Sequence, residues 1–384
     1  MPMKSLRIVP LALFFLFGCA TDRSANRVPE KTFVQAESSE RYDSLLQQIR
    51  GLEQSVSTLR SEIAAPKKDE KKDDVLARQL RDLEQSVSLL RSEIGILDDR
   101  LRKVRSRPPL DAYKLPREVS LCGEKIPVED RNVWENLDRE FLLTLSNEAQ
   151  ILLWRKRAKR YFPHIEKRLR EMGLPDDLKY VTITESALRP EAVSSSGAGG
   201  IWQFIPSTGE RYGMKKDRAL DERFDFFKAT EGALAYLKSL YDEFKSWTLA
   251  MAAYNAGENR VRREIELQET RDYFHLDLPA ETERYVYKIA IAKVILSDPE
   301  RYGMHLEEKE FYDPLQVERV EVEVTRPLSL VEVARALDYY YKEIKEMNPH
   351  LSNSSLLPGI HFLNLPPGTT EKFWAFFRNW KEGK

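Results

Sequence analysis

The sequence is poor in the residues that build disulfides, metal sites and membrane spans. Its 384 residues hold only two cysteines, Cys19 and Cys122, too few for a disulfide framework. The five histidines, His164, His275, His305, His350 and His361, lie far apart, without the short spacings that bring two ligands together. No metal and no cofactor is therefore expected. An excess of one charge is missing too: 61 Lys and Arg against 62 Asp and Glu leave a formal charge of -1. Such a balance generates no field that would draw a phosphate backbone, so nucleic acid is not an expected partner. The opening apolar run, Ile8 to Phe17, falls well short of the roughly 20 residues a helix needs to cross a bilayer.

That short run is nevertheless informative. Lys4 and Arg7 precede it, giving the charged-then-apolar order of an export signal, and it ends in Leu16-Phe17-Gly18-Cys19. This ending resembles the lipobox of bacterial lipoproteins, in which the cysteine is acylated and becomes the mature N-terminus. The resemblance implies a signal peptide over residues 1–18, lipidation of Cys19 and, through that lipid, a membrane partner. Ala20 follows rather than Asp, which implies the outer membrane of a bacterial envelope, facing the periplasm.

Residues 19–40 are polar and aperiodic, as a flexible tether would be. Residues 41–105 then repeat themselves: Leu52-Glu53-Gln54-Ser55-Val56-Ser57 recurs as Leu83-Glu84-Gln85-Ser86-Val87-Ser88. Leu45, Ile49, Leu52, Val56, Leu59 and Ile63 alternate spacings of four and three, and Leu76 to Val104 continue the pattern, which predicts a two-repeat coiled-coil stalk. Pro66 and the charged run after it interrupt the seam. So narrow a stripe needs a partner, either the other repeat folded back as a hairpin or a second copy in a homo-oligomer. Pro108, Pro109 and Pro116 mark residues 106–130 as a linker.

From 131 to 313 the pattern is helical. Leu174-Pro175-Asp176-Asp177 opens a predicted helix that runs through Tyr180, Val181 and Ile183 to Glu185-Ser186, with Pro190 halting it. Ser194-Ser195-Ser196-Gly197-Ala198-Gly199-Gly200-Ile201-Trp202-Gln203 follows, a glycine-rich loop with an aromatic plate and an amide beside it. Ala253-Tyr254-Asn255-Ala256-Gly257 and Glu281-Thr282-Glu283-Arg284-Tyr285-Val286 come later. Any one of these is weak, since a glutamate closing an apolar helix is usually a surface residue. In this order, however, they resemble the motifs of the lytic transglycosylases related to goose-type lysozyme, glycoside hydrolase family 23.

The resemblance implies a mainly α chain: a lysozyme-like helical catalytic domain at 131–313, preceded by the stalk. It implies peptidoglycan glycan strands as the partner, with the bond between N-acetylmuramic acid and N-acetylglucosamine broken without water. Glu185 would be the single catalytic acid/base, kept protonated by burial. Ser194, Gln203, Tyr254 and Asn255 would bind substrate, with Glu281 and Tyr285 supporting the charged intermediate. Gly197, Gly199 and Gly200 would form a structural loop that lets the chain pass close to the glycan. A lysozyme-type hydrolase on the same fold and a non-catalytic tether between envelope and wall remain alternatives.

Beyond Pro314 the character changes. Val317, Val320, Val322 and Val324 suggest a strand, Leu328 to Ala334 and Tyr341 to Met347 two helices, and Phe362 to Leu365 a second strand. Over 314–368 this βααβ order resembles a LysM module, a small glycan-binding domain, although Arg326-Pro327 stands where that family has a Gly-Asp turn. Phe373, Phe376, Phe377 and Trp380 give 369–384 the stripe of a C-terminal helix.

Overall fold

The computed structural model describes residues 30–64, 70–105 and 114–383. The export signal and Cys19 lie outside the described residues. The chain divides into two compact units, residues 1–107 and 108–384, and the architecture is mainly helical.

In the first unit, α1 (Glu30–Ala64) and α2 (Glu70–Arg105) form an antiparallel pair, and the flexible tether expected over 19–40 is corrected for residues 30–40, which are the first turns of α1. Arg41 meets Glu93, Glu53 meets Arg91 and Arg60 meets Glu84, each at 2.7 Å. Partner numbers fall along α2 as they rise along α1, which fixes the direction. The structure thus adopts the hairpin of the two arrangements open to the sequence. Leu45, Ile49, Leu76 and Val87 are buried in the seam, while Leu52, Val56, Leu83 and Leu90 are only half-buried.

The second unit begins with β1 (Ser120–Leu121) and β2 (Glu124–Lys125), a short antiparallel ladder. The linker expected over 106–130 is corrected here: Leu115, Val119, Leu121 and Ile126 are buried in the main core. α3 (Arg131–Leu145) starts at Asp130, whose carboxylate accepts from Asn132 N and Val133 N, and buries Val133, Leu137, Phe141 and Leu145 at helical spacing. α4 (Glu148–Glu171) is capped by Asn147. The helix predicted from Pro175 divides into a 3₁₀ turn, Asp176–Tyr180, and the short α5 (Val181–Ser186).

After α6 (Pro206–Arg211) and a second 3₁₀ turn at Glu222–Phe224 come α7 (Phe226–Phe244), α8 (Trp247–Ala256), α9 (Glu258–Gln268) and α10 (Ala280–Ser297). α8 is the central rod, and every residue from Trp247 to Ala253 is buried. Only a helix apolar on all sides can occupy that place. The Glu124 carboxylate of β2 reaches its N-terminus, accepting from Ser246 Oγ (3.0 Å) and Thr248 N (3.2 Å). An anion there compensates the first-turn N–H groups and the helix dipole.

The C-terminal part runs β3 (Glu318–Val324), β4 (Leu328–Ser329), α11 (Leu330–Leu337), α12 (Tyr341–Met347), β5 (Ser355–Leu356), β6 (Gly359–Leu365) and α13 (Thr370–Lys381). β3 pairs antiparallel with β6, Val320 opposite Leu363, and β4 pairs with β5. Phe373, Phe377 and Trp380 are buried in the same core as Val322, Leu330 and Leu363. The two segments drawn at 314–368 and 369–384 are therefore one body. Arg326 lies 4.5 Å over the Trp380 ring and donates to the Trp380 carbonyl, so this residue anchors α13.

This body is joined to the helical domain by a buried seam. Leu220 enters the C-terminal core, Asp221 N donates to His350 O (2.8 Å) and Ser352 N to Ala219 O (2.8 Å). Arg319 forms a bidentate pair with Asp225, at 2.9 and 2.7 Å. No helix among the described residues is long and apolar enough to cross a membrane.

Candidate active site

α5 carries Glu185 on its last turn. Val181, Thr182 and Ile183 are buried and leave it little freedom. The helix stops not at Pro190 but at Ala187 and Leu188, both with positive φ (53° and 59°). Side chains disfavour that conformation by about 1 kcal/mol or more each, so the surroundings must impose it. Arg157 donates to the Ala187 carbonyl (3.0 Å), and Ser186 Oγ donates to Ile201 O (2.8 Å). The second bond ties the end of α5 to the glycine-rich loop.

A cavity of about 480 Å³ opens over Glu185, and Ser194, Gln203, Tyr254, Asn255, Glu281 and Tyr285 line it with Glu185. The structure thus brings together all seven side chains singled out in the sequence, from four stretches spanning a hundred residues. Burial raises the Glu185 carboxyl to about 7, the Tyr285 hydroxyl that donates to Glu185 Oε1 holds it lower than burial alone would, and the Glu281 charge adds to the rise. Tyr285 is buried and Tyr254 half-buried, and both phenols are held well above their usual range by desolvation and by the Glu185 charge. Both therefore stay protonated.

The remaining contacts set donor directions. Tyr254 donates to Trp202 O (2.7 Å). Asn255 Oδ1 accepts from Thr282 Oγ1 (2.8 Å), which leaves its amide N–H groups for a ligand. Ser194 Oγ accepts from Ala198 N (3.0 Å). Gln203, at φ 52°, turns its Nε2 to Ala192 O and Gly200 O at 3.0 and 2.7 Å.

Two expectations about the loop are corrected. Trp202 is fully buried, and its indole N–H donates to Thr230 Oγ1 (3.0 Å), so it is a core strut and not a plate in the cleft. Gly199 and Gly200 do not line the cavity. They face the protein's own chain: a Cβ at Gly200 would lie 2.0 Å from Arg223 O, and one at Gly199 2.8 Å from the Phe224 ring. Gly197 has open space around it, and its φ of +79° is the reason for glycine there. Arg223 holds the loop from beneath by donating to Gly197 O and Phe204 O, both at 2.7 Å, while Asp221 grips the same guanidinium.

Sequence reasoning missed Glu258, which also lines the cavity. Burial alone would raise it, but Arg211 (2.7 Å) and the Tyr236 hydroxyl (2.9 Å) outweigh that and push it down to about 2. It is a fixed anion, unlike Glu185. Its place directly after Gly257, closing the Ala-Tyr-Asn-Ala-Gly stretch, was the available signal. Among the described residues no group of three or more His, Cys, Asp or Glu is placed to hold a metal.

Comparison with known proteins adds the following. Residues 162–276 match the family model described as Transglycosylase SLT domain. That span holds Glu185, the glycine-rich loop, Tyr254 and Asn255 and ends before Glu281 and Tyr285. Over 205 residues the chain is 35% identical to membrane-bound lytic murein transglycosylase D of Escherichia coli, covering 52% of this chain and 44% of that protein. The counterpart from a second strain of that species gives the same figures. The chain thus spans less than half the length of the curated relatives it matches. Among solved structures, the 70 kDa soluble lytic transglycosylase of E. coli matches at TM-score 0.32 and 17% identity, over 74% of this chain and 49% of that one. The lytic transglycosylase Slt of Pseudomonas aeruginosa, solved as an inactive mutant, matches at 0.29 and 22%, over 39% and 26%. Residues 162–276 of this chain are thus similar in sequence to the transglycosylase SLT domain family.

Proposed function

We propose that this chain is a peptidoglycan lytic transglycosylase with Glu185 as its one catalytic acid/base. The observation that carries the reading is the setting of Glu185: a carboxyl enclosed in a glycan-sized cleft, raised to about 7, with a phenol and no cation as its bonding partner. Such a group is protonated often enough to act as an acid near neutral pH and ionises readily afterwards. Glu185 first protonates the glycosidic oxygen leaving N-acetylmuramic acid. The substrate's own N-acetyl oxygen attacks the anomeric carbon and forms an oxazolinium ion. Glu185, now a carboxylate, takes the proton of the C6 hydroxyl, whose oxygen closes a 1,6-anhydro ring as the oxazolinium opens. No water is consumed.

The cleft supplies the supporting groups. The Asn255 amide and the Ser194 hydroxyl orient the sugar and its acetyl group, Gln203 shapes the wall beside them, and Glu281 balances the positive intermediate. Tyr285 holds Glu185 in one rotamer and stabilises its ionised form. In the envelope, lipid on Cys19 would anchor the chain to the outer membrane facing the periplasm, with the helical pair as its stalk. The LysM-like part is read as a docked support for the cleft, since Arg326, at its departure from the LysM pattern, is engaged with Trp380.

The test is mass spectrometry of muropeptides released from purified sacculi by the unaltered chain and by Glu185→Gln. Products lighter by one water, with 1,6-anhydro ends, absent with the variant, support the proposal. Reducing ends would mean a lysozyme-type hydrolase, and no release by either protein would leave a tether.

A further inference from the structure

On the helical hairpin, apolar side chains also stand away from the seam. Val75, Leu89 and Ile96 recur at heptad spacing along one shoulder of α2, 55%, 65% and 55% exposed, with Asp82 interrupting the row. One exposed aliphatic is ordinary, but a row of them along a helix marks a contact surface. The hairpin gives this row nothing to pack on, and it leaves Leu52, Val56, Leu83 and Leu90 of the seam half-buried.

The matching shoulder of α1 has the complementary shape. Residues 52–63 and 83–94 are the same sequence except at one position, where Thr58 of the first repeat stands against Leu89 of the second. The ion pairs of the hairpin set the register, which brings Leu89 level with Gly51 and Ile96 level with Ser44. A Cβ added at Gly51 would meet nothing within 4 Å. Between the shoulders lie the short, uncharged Ser55 and Ser86. Ser55 Oγ donates to Gly51 O (3.1 Å), Thr58 Oγ1 to Gln54 O (3.0 Å) and Ser86 Oγ to Asp82 O (2.8 Å). With these hydroxyls satisfied inside their own helices, the face can be dried without stranding a donor. The other face of the hairpin is unlike it: Glu53–Arg91 and Arg60–Glu84 cross it, and covering them would desolvate four charges.

We propose that this face joins two copies of the chain. Two hairpins stack into a four-helix bundle about a two-fold axis along the helices, α2 of each lying over α1 of the other. Leu89 then seats over the partner's Gly51 and Ile96 over the partner's Ser44. Helices of this length are about 50 Å long, so a face two helices wide can bury on the order of 1,500 Å² in total, the size of a stable interface. Such an axis starts both copies of α1 at the same end of the bundle. That suits two chains tethered to one surface, where confinement raises their effective concentration.

The experiment is sedimentation equilibrium of the full chain in mild detergent. At about 50 µM the unaltered chain is expected to have twice the mass of one copy. Leu89→Glu, at a position facing away from the seam, should weaken association by roughly tenfold or more with helical circular dichroism unchanged. Gly51→Leu raises helix propensity while filling the proposed hole, so it should weaken association too, and it decides the case if Leu89→Glu unfolds the hairpin. Ser57→Glu, on the face of the ion pairs, should leave two copies together. A single copy throughout would overturn the proposal. Association that survives both Leu89→Glu and Gly51→Leu would overturn it in favour of copies exchanging helices through the seam. Loss with Ser57→Glu alone would overturn it in favour of the other face. None of these readouts depends on the glycan reading.

Discussion

Glu185 in the cleft and Asp225 in the seam beneath it are both enclosed carboxyls, yet the protein treats them oppositely. Burial dominates at both and by itself would raise both. At Asp225, which is 1% exposed, the bidentate Arg319 guanidinium with two N-terminal amides of α7 reverses the effect and lowers it. At Glu185 only a neutral phenol opposes burial, and the carboxyl rises to about 7. The charge of a buried carboxyl is set by its partners and not by its depth. A carboxylate with a cation is a clasp, and one denied a cation is available for proton transfer. Glu258, held at about 2 by Arg211, shows the two treatments side by side in one cavity.

The comparison can be broken from either end. The largest effect is expected from Glu185→Gln, which keeps the shape and removes the titrating group: muropeptide release should fall by about a thousandfold or more. In the unaltered protein, release should decline as pH rises through about 7, because the first step needs the protonated acid. Tyr285→Phe removes the bond that lowers Glu185, so that decline should move to higher pH, with activity down by roughly 10- to 100-fold from lost positioning.

Asp225→Asn leaves the Arg319 charge without its counterion and should destabilise the chain by about 3 kcal/mol in chemical denaturation. Because the folded-state value of Asp225 is depressed, this stability is present above the ordinary aspartate range and is lost as pH falls below that range through the lowered folded-state value. The difference between variant and parent should therefore vanish on acidification. Glu185→Gln has the opposite signature. A raised carboxyl contributes stability below the ordinary glutamate range and loses it as pH rises through about 7, so the variant should be the more stable protein at pH 8, by up to roughly 3 kcal/mol. Least should come from the exposed Arg60–Glu84 pair of the helical hairpin, where a double-mutant cycle should give about 0.5 kcal/mol or less.

Legibility in the sequence followed the range of the forces involved. Heptads in α1 and α2, the helices between residues 131 and 313 and strand β3 were plain, because periodicity is local. So were the seven cleft residues, which sit in short motifs whose order was itself informative. Glu124 was not legible: it caps α8 from more than 120 positions away, and nothing near Glu124 signals a helix end. Gly200 was read as giving room to a substrate because sequence shows the absent side chain but not the neighbour that requires it, here the Arg223 carbonyl. Trp202 reads as a cleft residue for the same reason; its partner Thr230 lies on α7, away from the loop in sequence. The break of the predicted helix into a 3₁₀ turn and α5, ending on left-handed Ala187 and Leu188, runs against local preference and is imposed by Arg157 and Ile201.

The short stretch from Leu220 to Asp225 has a consequence for how the protein can be taken apart. Leu220 belongs to the C-terminal core, Arg223 props the loop beside the cleft, and Asp225 receives Arg319. A truncation before residue 314 would keep every side chain of the cleft and still bare an apolar leucine and an unanswered charge directly behind the loop. Modules joined by a linker can be shuffled, lost or borrowed independently. These two share a keystone, and removing one strips the other of part of its core and of a buried ion pair.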